Sequence, residues 1–267
     1  MDSKFHHKPM NLLCMAAIVM IAACNGEPHI EMSKVNEGAL QEFLTAQYPA
    51  TEGQVKLDIL LDAYINDSSS FVESVSYLDK KLGNPNSTYR NEALYSALLS
   101  KQIQSSFYDD ATKAKLRKKL FLVLQNRPGS PANDFVYVTP SGMQKTMYDL
   151  KAKRTLLLFY NPECGACKDM RETLSASTSI NAAIADKELE VLAIYTDKDE
   201  KIWLDHLAEM PVGWKQGRDE TAALHDNSVY DLKAIPSLYL LDEQKNVLLK
   251  DCMNVSEIEK QLITKQL

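Results

Sequence analysis

Two cysteines three positions apart are the residues of this chain best suited to covalent chemistry. Residues 159 to 168 read Phe-Tyr-Asn-Pro-Glu-Cys-Gly-Ala-Cys-Lys, which places Cys164 and Cys167 at C-x-x-C spacing. On a helix, positions i and i+3 share a face, close enough for two sulfurs to form a disulfide with little backbone movement. A helix is expected from about Gly165, directly after the apolar run Thr155 to Tyr160, which has the character of a strand buried on both faces. Cys164 would then occupy the helix N-terminus, where unpaired amides and the helix dipole stabilise a thiolate. Cys167, one turn further in, would be shielded and would resolve a mixed disulfide.

The same spacing is also half of a zinc site, and a structural zinc needs four ligands. No second C-x-x-C exists, Cys252 is solitary, and His225 stands alone in Leu-His-Asp-Asn. No metal and no cofactor are therefore expected. Cys252 reads as a small apolar residue near the last strand.

The elements that must carry the pair follow from hydrophobic period and breakers. Thr155 to Tyr160, Leu189 to Tyr195, Ser237 to Leu241 and Val247 to Lys250 read as strands, and Phe135 to Val138 with Lys145 to Tyr148 as a hairpin about Pro140-Ser141-Gly142. Helices are expected after Gly165, over Ile180 to Ile184, over Lys201 to Leu207 and from Val255 to Leu267. That β-α-β-α-β-β-α order specifies an α/β sandwich over residues 131 to 267. Ahead of it, Arg127-Pro128-Gly129-Ser130-Pro131 is a cluster of breakers and marks a domain boundary. Residues 51 to 127 show helical stripes instead: Phe71, Val75, Leu78 and Leu82; Tyr95, Leu99, Ile103 and Phe107; Leu116, Leu120 and Leu124. With a further helix around Val55 to Ile65, they make a small all-helical domain with no functional constellation. Residues 24 to 50 are polar and read as a tether.

A second element bears on the cysteines. Ala234-Ile235-Pro236-Ser237-Leu238-Tyr239 sets a proline immediately before a strand. Together with a C-x-x-C after a buried strand, it resembles the thioredoxin superfamily. The resemblance implies a thioredoxin-like α/β sandwich, a cis peptide bond at Pro236 facing the redox pair, and backbone groups of Ile235 that pair with an extended substrate. A helix inserted between Ser175 and Lys187 and the hairpin ahead of the first core strand are similar to the TlpA/ResA branch of membrane-associated thioredoxins. The helical part resembles a domain of unknown function that precedes such modules in some bacterial lipoproteins. Departures matter: Glu163 and Ala166 replace the family's tryptophan and proline. Leu158 stands where thioredoxin has a buried aspartate, and Met170 where the ResA-like branch has a glutamate. Glu163 is a candidate proton acceptor by proximity alone.

The N-terminus reads as an export signal. Basic residues Lys4 and Lys8 precede an apolar run from Leu12 to Ala23, and a spanning helix would need roughly 20 residues. Ile21-Ala22-Ala23-Cys24 resembles the lipobox of bacterial lipoproteins, which implies removal of residues 1 to 23, acylation of Cys24 and anchoring in a membrane; periplasmic exposure is expected ahead of exposure at the cell surface. Loss of Asp2, Lys4 and Lys8 takes the formal charge from −6 to −7. An acidic chain whose one basic run, Lys113 to Lys119, is short does not carry the electrostatic footprint of nucleic-acid binding.

Two functions remain open on these residues. One is a membrane-anchored thiol-disulfide oxidoreductase that exchanges with protein thiol and disulfide substrates and with a redox partner, in the reductant or isomerase direction. The other is a non-catalytic binding lipoprotein whose pair is a structural disulfide or carries a metal.

Overall fold

Among the described residues five helices come first, each built on a stripe that has one place to go. In the computed structural model, which describes residues 35–226 and 229–263, they are α1 (Glu37–Thr45), α2 (Ala50–Asp62), α3 (Ser68–Leu82), α4 (Glu92–Gln104) and α5 (Asp110–Leu124). Short polar side chains start four of them: Asn36, Asp67, Asn91 and Asp109 accept the backbone N–H three residues on, satisfying donors the helix cannot. Leu57, Leu61, Phe71, Val75, Leu78, Leu82, Leu98 and Leu99 close the core between them.

The helical part departs from its sequence pattern at two places. Residues 37–45 are not part of a tether: Leu40, Phe43 and Leu44 of α1 are buried in the helical core, an apolar stripe that Glu and Gln neighbours had hidden. On α5 the inward stripe is Leu116, Leu120 and Val123, while Leu124 is 43% exposed, because a helix of 3.6 residues per turn drifts off a strict four-residue repeat. The expected signal segment, Cys24 and residues 264–267, where the closing helix was expected to run on, lie outside the described residues, as does the side chain of His225.

The remaining chain forms β1 (Val136–Val138), β2 (Gln144–Thr146), β3 (Arg154–Tyr160), α6 (Gly165–Ala176), α7 (Thr178–Ala185), β4 (Leu189–Tyr195), α8 (Glu200–Asp205), β5 (Lys215–Arg218), α9 (Ala223–Asp226), β6 (Ser237–Leu241), β7 (Val247–Leu249) and α10 (Val255–Ile263). The strands make one mixed sheet in the order β2-β1-β5-β4-β3-β6-β7, with β3 parallel to β4 and antiparallel to β6. Because side chains alternate along a strand, β3 feeds two cores. Leu156, Leu158 and Tyr160 pack with Cys167 on one face, and Leu157 and Phe159 pack with Tyr230 and Tyr239 on the other. Burial on both faces explains why β3 is apolar at nearly every position.

The strand β5 and the helix α9 were not expected. Lys-Gln-Gly-Arg carries no strand signature, yet it pairs parallel to β4 and joins β1 to the sheet. Gly217 is required there because a Cβ would sit 2.3 Å from Cδ2 of Tyr137.

The breaker cluster is fastened, not free. Gly129 N–H donates to Val247 O at 2.8 Å, Val247 N–H to Ser130 O at 2.9 Å, and Ala132 N–H to Lys245 O at 2.8 Å. Lys250, its side chain only 3% exposed, donates to the carbonyls of Val123 and Gln125 and pairs with Glu92 at 3.1 Å. Helices and sheet therefore share one compact unit. Among the described residues, no helix is long and apolar enough to cross a membrane.

Candidate active site

The strand β3 ends at Tyr160, and Asn161-Pro162 turns the chain so that a helix can start at once. The Asn161 side chain accepts the Glu163 N–H at 2.8 Å, while its backbone carbonyl accepts the Cys164 N–H at 3.1 Å. This is the local turn that asparagine ahead of a helix makes well. It delivers Cys164 as the N-cap residue of α6, in extended conformation, with the Cys167 N–H directed at its sulfur over 3.3 Å. A sulfur in that place accepts what a capping oxygen would. Sequence reasoning had passed over Asn161; the Asn-Pro pair after a buried strand is the signal that could have found it.

Cys164 is half-buried and Cys167 is 3% exposed. Burial, then hydrogen bonding to Cys164, pushes the Cys167 thiol up to about 12, and a hydrogen bond at the Asn161 backbone works against that rise. Leu158 is fully buried in the same cluster, where Met170 also packs. An aliphatic side chain there accepts no proton, and Glu163 is exposed.

Opposite the pair, the Ile235–Pro236 peptide bond is cis, and the Ile235 carbonyl accepts from the Cys164 thiol at 3.7 Å. Four residues that the sequence singled out, Cys164, Cys167, Ile235 and Pro236, thus meet at one end of the sheet. Cys252 does not join them in any bond: its thiol, raised chiefly by burial, donates to the Asn254 carbonyl at 3.5 Å and to Glu257 at 3.6 Å. Among the described residues, no group of three or more His, Cys, Asp or Glu side chains is placed to hold a metal ion.

Such a site can do nucleophilic sulfur chemistry. It offers one half-buried sulfur on a polar helix end, a second sulfur behind it, and a backbone carbonyl that accepts from the first.

Comparison with known proteins agrees with that reading of the fold. A thioredoxin-like family model matches residues 152–247, and the model of a domain of unknown function (DUF5106) matches residues 27–126. A thioredoxin-like protein from Bacteroides caccae is similar at 34% identity over 86% of this chain and 84% of its own, with a TM-score of 0.80. The C-terminal domain of an uncharacterized protein from Bacteroides fragilis is 42% identical over 52% of this chain and 99% of its own, TM-score 0.50. The thioredoxin domain of a thiol-disulfide oxidoreductase from Bacteroides vulgatus is 22% identical over 51% of this chain and 98% of its own; at a TM-score of 0.45, nothing about activity follows from it. No curated protein matches the chain.

Proposed function

Because the chain belongs to the thioredoxin-like proteins, we propose that it is a thiol-disulfide oxidoreductase acting on exported proteins, held to a membrane through acylated Cys24 with periplasmic exposure. The observation that carries the redox reading is the placement of Cys164: half-buried, capping α6, and 3.7 Å from the Ile235 carbonyl.

The reaction begins when the Cys164 thiolate attacks one sulfur of a substrate disulfide. That S–S bond breaks, the departing substrate sulfur takes up a proton, and a mixed disulfide joins Cys164 to the other half. The Cys167 thiol then loses its proton, attacks the Cys164 sulfur and releases the second substrate thiol. Two electrons have passed to the substrate, and the protein carries a Cys164–Cys167 disulfide that an external dithiol must reduce. Run backwards, the same steps oxidise a dithiol. Backbone groups of Ile235 receive the substrate as an added extended segment.

Equilibration of the full chain against redox buffers, with free thiols counted at each potential, tests the proposal. An exchanging pair should have a midpoint above about −300 mV, whereas a structural bridge lies below it. A midpoint below that value, or tight zinc uptake by the reduced pair, would replace this reading with the binding protein.

A further inference from the structure

Resting on the exchange reaction proposed above, we infer that the helical domain positions the substrate-receiving loop, with Arg90 as the positioning residue. That loop leads from Val229 to Pro236 and into β6 at Ser237. Three residues of the helical part hold it, on both sides of Ile235.

Upstream of Ile235, Asn126 donates to the Val229 carbonyl at 2.9 Å. The ring of Tyr95 on α4 receives the Lys233 ammonium 5.4 Å from its centroid, and Lys233 in turn pairs with the nearly buried Asp231 at 2.7 Å. Downstream, the hydroxyl of Ser237 donates to Oδ1 of Asp251 at 2.8 Å, and Arg90 Nη2 lies 2.6 Å from Oδ2 of the same carboxylate. Ser237 is fully buried, and the Asp251 side chain is 13% exposed. Arg90 is itself steered by Glu92 at 3.6 Å, which also meets the buried Lys250.

Of these contacts, the Arg90–Asp251 link has the most leverage. It is charge-assisted and largely shielded from water, the setting in which such bonds are strong. It also acts two residues from the carbonyl that faces Cys164. A loop that must order itself on binding weakens its ligand by the cost of ordering, and a loop held in its bound shape does not. Arg90 reaches neither sulfur. Its loss should therefore weaken capture of a substrate that pairs with the Ile235 backbone, and spare a substrate that engages only the Cys164 sulfur.

Single-turnover reduction by the full-length chain tests this with two probes: a ten-residue peptide closed by one disulfide, and the small aromatic disulfide dithiobis(nitrobenzoate). For Arg90→Ala, the half-saturating peptide concentration should rise about fivefold or more, with the maximal rate and the rate toward the aromatic disulfide unchanged. Arg90→Lys should fall between the two proteins. Ser237→Ala cuts the same link from the loop side, so combining it with Arg90→Ala should add little to either alone. If Arg90→Ala does not fold, Ser237→Ala carries the same readout. Unchanged peptide saturation, or an equal loss on both probes, would overturn the inference. A wild-type protein that reduces neither probe would instead remove the exchange reaction beneath it.

Discussion

The backbone N–H of Cys167 donates to the sulfur of Cys164 across 3.3 Å, so the residue proposed to resolve a mixed disulfide also holds the proposed nucleophile in place. Accessibility then separates the three described thiols. Cys164 is half-buried, whereas burial closes off Cys167 and Cys252 and pushes both thiols up. Since thiolates are the alkylated species, iodoacetamide near neutral pH should modify Cys164 well before the other two in the reduced protein. Peptide mapping by mass spectrometry reads the order. Earlier labelling of Cys252 would overturn the assignment of the nucleophile.

The proposed membrane attachment has its own test, because Cys24 and the redox pair stand far apart in the sequence. Cys24→Ser should release the protein from membranes and abolish incorporation of labelled fatty acid, since acyl chains on one residue anchor by about 0.8 kcal/mol per buried CH₂. Labelling that persists in the variant would place the lipid elsewhere or nowhere.

Gly217 gives a packing prediction. A methyl group there meets the Tyr137 ring at 2.3 Å and Ile194 Cδ1 at 3.0 Å, and both partners are buried. Gly217→Ala should cost about 1–3 kcal/mol as overpacking, seen as a lower denaturant midpoint. Adding Tyr137→Leu removes the ring and should recover part of that loss, so the two changes will not add. Strict additivity would show that the ring is not what excludes a side chain at 217.

Much of the site was legible because its chemistry is local in sequence. The C-x-x-C, the apolar run of β3 and the proline before β6 each lie within a few residues, and their periods and breakers point one way. What was missed is long-range or polar. β5 draws its strand geometry from its neighbours β4 and β1, while its own residues, Lys215 to Arg218, favour no element. Arg90 and Asp251 are separated by 161 positions, and nothing near either one marks it as half of a pair. The helical part therefore read as a domain without a role, although its end runs directly onto β7.

Stability against pH offers a last prediction, and its sign follows from burial. In the reduced, folded protein the Cys167 thiol is raised from 9.0 to about 12, first by burial and then by its hydrogen bond with Cys164. The unfolded chain releases this proton near 9.0 while the folded chain keeps it, so between those values the unfolded state binds fewer protons. Stability must then fall as pH rises. This thiol's contribution is intact below the unfolded value and is lost as pH climbs towards the folded one. Cys252 and the buried tyrosines Tyr230 and Tyr239 are raised for the same reason and slope the same way, so the difference between two proteins is the informative quantity. Denaturant midpoints of reduced wild type and Cys167→Ser, followed upward from about pH 8, should converge or cross, with wild type losing stability faster. Oxidation to the Cys164–Cys167 disulfide, which removes the titrating thiol, should flatten the wild-type curve. Parallel curves for the reduced pair would mean that Cys167 titrates alike folded and unfolded, and that burial does not keep its proton on.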